Sequence, residues 1–193
     1  TTWSDIDVGC EACHGPAGAH VAWARKRDPG DDVDDAGTLG LTHRLERGKA
    51  GLEVETCAPC HSRRTPLVTA PAPGAPFLDG YRPAHLEDGL YHANGRILGE
   101  VYVWGSFAQS KMYHAGVACS DCHDPHSLEP WIEGTDHNGL CAQCHGPTPP
   151  LERFPTLQAK DYDDPSHHHH AEGSPGAQCV ECHMPSRTYM VVD

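Results

Sequence analysis

All ten cysteines of this chain stand in one pattern, Cys-x-x-Cys-His. The copies are Cys10-Glu-Ala-Cys13-His14, Cys57-Ala-Pro-Cys60-His61, Cys119-Ser-Asp-Cys122-His123, Cys141-Ala-Gln-Cys144-His145 and Cys179-Val-Glu-Cys182-His183. Two thiols three positions apart can add to the two vinyl groups of one haem, and the histidine that follows is placed to bind the iron from one face. Zinc ribbons, disulfide frameworks and thioredoxin-like redox pairs also use Cys-x-x-Cys, but none needs histidine at the next position. The pattern implies five covalently attached haem c groups, with the five motif histidines as proximal iron ligands.

Each haem iron has a second axial position, and what fills it separates an electron carrier from an enzyme. Eleven histidines lie outside the motifs: His20, His43, His85, His92, His114, His126, His137 and the run His167–His170. His126, in Cys-His-Asp-Pro-His, is expected to point away from its own haem and ligate a neighbour. His20, His92 and His114 are further candidates, and at least one member of the run should bind iron, with His168 and His169 the choice within it. His43, His85 and His137 read as exposed or propionate-bonding residues, and Met112, Met184 and Met190 as packing. Arg63, Arg64, Arg96, Lys111 and Arg187 are candidate propionate partners. No catalytic residue stands out.

The elements that must position these residues are short. Ala17–Arg27 reads as a helix with a basic end, followed by an acidic, solvated loop at Asp28–Gly37. Arg64–Pro83 carries five prolines and reads as an extended linker. Leu90–Val103 predicts a β-hairpin about a type I′ turn at Asn94-Gly95, with Ile97, Val101 and Val103 as strand formers. Ser106 is placed to cap a helix running to about Ala115, stopped by Gly116. The region from Gly146 through Pro165 reads as loop. Motif spacings of 47, 62, 22 and 38 residues are too irregular for a structural repeat. Motifs three and four are the closest pair, so adjacent haems are expected there.

In total the chain reads as one domain over residues 1–193, mainly α with extensive coil and one short β-hairpin, organised around a stack of five haems. With 20 glycines, 17 prolines and few large aliphatic residues, the polypeptide lacks the makings of a conventional core. The porphyrins must supply it. A net charge of −13, before any propionates, argues against nucleic-acid partners and suits other redox proteins or cytochromes. Haem is attached to such motifs outside the cytoplasm, so a periplasmic or extracellular location is expected. No membrane-spanning run or signal peptide is present, which reads as a mature or trimmed product.

The run GLYHANGRILGEVYVWGSFAQSKMYHAGVACSDCHDPHS at Gly89–Ser127 resembles the multihaem cytochromes c that are often fused to tetratricopeptide repeats. CEACHGPAGAH at Cys10–His20 and HHHHAEGSPGAQCVECHMPSRTYMVVD at His167–Asp193 are similar to the same family. Wider relatives include cytochrome c nitrite reductases and decahaem electron conduits. The resemblance implies a helix-and-coil fold around closely stacked haems, with His20, His92, His126 and part of His167–His170 matching family histidines. Nitrite reductases of the related kind usually mark their open haem with Cys-x-x-Cys-Lys, which does not occur here. The expected function is therefore electron transfer through five bis-histidine haems, the alternative being a periplasmic reductase of nitrite, hydroxylamine or a similar oxyanion. Motifs so close to both sequence ends suggest exposed terminal haems, and hence a segment of a longer haem wire, formed as a homopolymer by self-association or by docking to another cytochrome.

Overall fold

The computed structural model describes residues 7–26, 37–69, 71–72, 74–132, 137–187 and 190. It divides into two compact units, Thr1–Ala118 with motifs one and two and Cys119–Asp193 with motifs three to five. The described residues are mainly short helices and coil with a single two-stranded antiparallel sheet. None of these helices is long and apolar enough to cross a membrane. Except for Gly37, the acidic loop lies outside the described residues.

In the first unit α1 (Cys10–His14) is motif one itself, and α2 (Gly18–Arg25) is the helix expected near Ala17–Arg27. Motif two ends α3 (Ala50–His61). Glu53 stands in the first turn of α3, where a carboxylate favours the helix dipole. Val54 and Ala58, one turn apart, form its buried stripe. Phe77 opens α4 (Phe77–Gly80), is 1% exposed, and donates its backbone N–H to the Glu55 carboxylate of α3. Its ring stacks on Tyr81 at 5.5 Å and tilts against Trp104 at 4.8 Å, so this small aromatic cluster holds motif two from behind.

The sheet forms where an extended linker was expected. β1 (Arg64–Pro66) pairs with β2 (Tyr81–Pro83), Arg64 facing Pro83 and Pro66 facing Tyr81. Both strands are edges, and proline at the end of an edge strand need not donate to the ladder. Proline's fixed φ suits extended chain, whether it is paired or not.

Two further expectations are corrected. Between Leu90 and Val103 only the turn survives, with one isolated bridge, Tyr91 to Ile97. The His92 carbonyl accepts from Gly95 N–H at 2.9 Å and its N–H reaches the Arg96 carbonyl at 2.8 Å. Gly95 alone takes a positive φ, 81°, so this is a three-residue loop with a left-handed glycine and not the two-residue type I′ turn. Val103 is helical, because the chain turns through Tyr102 (φ 60°) into α5 (Tyr102–Ala108). Val101 is buried, and its carbonyl accepts from Arg63 N–H. Ser106 therefore lies inside α5, and the capping serine is Ser110, whose Oγ accepts from Tyr113 N–H at 3.1 Å to start α6 (Lys111–His114). Gly116 stops that helix as expected. With φ 88° it completes a Schellman closure, Gly116 N–H to Tyr113 and Val117 N–H to Met112.

The second unit opens on a 3₁₀ turn at Cys119–Asp121. Its helices are α7 (His137–Ala142), α8 (Pro165–His168) and α9 (Cys179–His183). Asp121 is held by Arg153 through two hydrogen bonds of 2.6 and 2.7 Å. Asn138, 8% exposed, is the hub of the unit: its amide donates to Asp163 at 2.7 Å and to the Ala177 carbonyl at 2.9 Å. Its Oδ1 accepts from Cys179 N–H at 2.8 Å, supplying from α7 the cap that α9 lacks locally. Among the described residues of this unit, the buried apolar side chains are Phe154 and Ala177.

Candidate haem-attachment sites

In each motif a helical or near-helical turn brings the two cysteines together. α1 and α9 each contain a whole motif, α3 ends on one, and motif three begins in the 3₁₀ turn. In motif four, Cys144 N–H and His145 N–H both bond to the Cys141 carbonyl, at 3.1 and 2.8 Å. Side chains three positions apart in such a turn share a face, so both thiols of a motif are presented to one side.

The residues present fit haem. Free cysteine is among the most often buried residue types, yet none of the ten is buried: Cys10, Cys60 and Cys182 are exposed and the rest half-buried. The motif histidines His61, His123, His145 and His183 are likewise exposed, with no ring hydrogen bond among the described residues. Buried polar atoms lack partners at Trp104 Nε1, Ser106 Oγ and Ser174 Oγ, donors suited to a propionate.

The competing chemistries fit less well. Partial burial pushes the thiols of Cys13, Cys122, Cys141, Cys144 and Cys179 above their ordinary value. Among the described residues, no three of His, Cys, Asp and Glu converge on a metal-ion cage.

Motifs neighbour one another within each unit. Ala12 of motif one and Pro59 and Cys60 of motif two line one cavity, so motifs one and two lie side by side. Cys122 lies near Cys144, and Cys141 lies near Cys179 where α7 packs on α9. Motifs three, four and five thus form a contiguous series.

His14 Nδ1 lies 3.0 Å from the His43 carbonyl, and His20 Nδ1 lies 2.8 Å from that of Leu39. A carbonyl on Nδ1 fixes the tautomer that leaves Nε2 as a metal donor. His20 is half-buried and stacks on Trp23 at 5.5 Å. His92 is half-buried beside its turn, while His114 is exposed at the end of α6 against Tyr113. His126 sits exposed on the loop returning from motif three, its Nδ1 3.5 Å from Asp124. Of the propionate candidates, Arg63 donates to the Glu100 carbonyl and Arg64 lies over the Tyr81 ring.

Within the histidine run the geometry singles out a residue not chosen from sequence. The His167 ring lies beside that of the motif histidine His183, with ring centres 6.2 Å apart and planes 7° from parallel. His168 has Nε2 3.1 Å from the Asp163 carbonyl, and its Nδ1 accepts from His170 N–H at 3.2 Å. His169 is exposed, in the left-handed conformation that ends α8. The signal for this phase is Asp164-Pro165-Ser166, a helix start in which Asp164 caps Ser166 N–H and proline takes the first turn.

The doubled CXXCH motif family matches residues 112–149, which hold motifs three and four. Searches of curated proteins and of solved structures return no match. The matched pair supports a c-type cytochrome-like chain that binds haem c covalently.

Proposed function

We propose that this chain carries electrons through five c-type haems, each held by one Cys-x-x-Cys-His motif and closed by a second histidine. The observation that carries the reading is the placement of the ten cysteines: none is buried, and the motifs neighbour one another inside their units, one beside two and three, four and five together. Bound haem supplies one-electron ferric–ferrous chemistry at each site. The chain's own residues do the rest. Paired thiols add across vinyl groups, each S–C bond forming as the thiol hydrogen passes to the other vinyl carbon. His14 and His20, each anchored by a carbonyl on Nδ1, would hold iron through Nε2. Histidine outnumbers the open axial positions, which favours a carrier over an oxyanion reductase.

Location outside the cytoplasm, docking to other cytochromes and assembly into a wire belong to the same proposal, on the ground of haem maturation and an acidic surface. Spin state and carbon monoxide binding separate carrier from enzyme. The native ferric protein should be wholly low-spin, and the reduced protein should take up no stoichiometric carbon monoxide. A high-spin ferric signal with one carbon monoxide bound per chain would move the assignment to the reductase.

A further inference from the structure

Resting on the haem reading above, we propose that His167 is the distal iron ligand of the haem attached through Cys179 and Cys182, opposite proximal His183. Histidine–metal bonds of about 2.0–2.1 Å on opposite sides of one ion set two imidazole centres about 6.3 Å apart. The rings of His167 and His183 are 6.2 Å apart and 7° from parallel. Neither ring makes a hydrogen bond among the described residues.

Two constraints hold His167 in that place. Asp164 and Pro165 start α8, which fixes the direction in which the third residue of the helix projects. Tyr162 then packs edge-on against the His167 ring at 5.1 Å and 83°, and also meets His145 at 6.2 Å, with Lys160 Nζ 5.3 Å from its ring centre. Tyr162 thereby touches an axial residue of motif four and the distal residue assigned to motif five, matching the contact between Cys141 and Cys179.

The rings of His168 and His170 show a similar spacing, 6.3 Å at 16°. They do not make a second iron site. Both nitrogens of His168 are engaged, by the Asp163 carbonyl and by His170 N–H, and no cysteine pair accompanies either ring.

The test uses the matured holoprotein. Haem content by intact mass comes first: a wild-type chain without haem would end the cytochrome reading itself, independently of His167. Given haem at motif five, His167→Ala should contain one more high-spin ferric haem than wild type by magnetic circular dichroism, and bind one more carbon monoxide per chain when reduced. His168→Ala and His169→Ala should match wild type. If His167→Ala does not accumulate, His167→Met keeps a ligand and should raise the potential of one haem, with a methionine-to-iron charge-transfer band in the near infrared. An unchanged spin count in His167→Ala, unchanged potentials in His167→Met, or a new high-spin haem in His168→Ala or His169→Ala instead would overturn the assignment.

Discussion

Produced without haem, the polypeptide should be unfolded, with the circular dichroism of a disordered chain and no cooperative melting transition. Ordering each residue costs about 1–2 kcal/mol of backbone entropy. In the second unit the buried apolar side chains among the described residues are Phe154 and Ala177. Full burial of a phenylalanine contributes only about 1.5–3 kcal/mol, so the protein part of that core cannot hold three motifs in place. Leu128, at 80% exposure, and Met184, at 67%, lie open and add nothing to that core. The first unit buries Val54, Ala58, Phe77, Tyr91, Val101 and Ala118 among the described residues, still few large side chains for a unit of that length. Cooperative unfolding of the haem-free chain, with native-like side-chain dispersion in a nuclear magnetic resonance spectrum, would show that the polypeptide has a sufficient core of its own.

Asn138→Ala in the holoprotein should lose about 3 kcal/mol of stability, read as a lower urea midpoint with unchanged haem content. The side chain makes three hydrogen bonds in a buried setting, to Asp163, Ala177 and Cys179. A typical intramolecular bond contributes about 0.5–1.5 kcal/mol, and each buried partner left unsatisfied adds to the loss. Alanine leaves the Cys179 N–H at the start of α9 without its acceptor, so the second transition to shift should be the potential of the motif-five haem. A midpoint within experimental error of wild type would mean that haem ligation alone sets the position of α9.

What could be read from sequence divides along physical lines. The attachment chemistry was legible because it depends on residue type at fixed spacing, and covalent spacing does not change with the fold. α2 and the stop at Gly116 were legible because helix ends depend on local signals. The sheet was not, because proline in Arg64–Pro66 and Tyr81–Pro83 carries the same signature paired or unpaired. Val101 and Val103 have strand propensity, but burial of Val101 beside α3 and its bond to Arg63 override that preference. In the histidine run four identical residues give composition no way to choose. The phase set by Asp164-Pro165 does choose, and it favours His167 over His168 and His169.

The number of haems attached decides most directly whether all five motifs do the same chemistry. Intact mass of the denatured holoprotein, with the haem chromophore followed through the same separation, should exceed the polypeptide by five haems and show no free thiol. A chain whose mass is that of the polypeptide alone, or of the polypeptide with zinc or disulfides, would contradict the central claim; a smaller number of haems would contradict the equivalence of the five motifs.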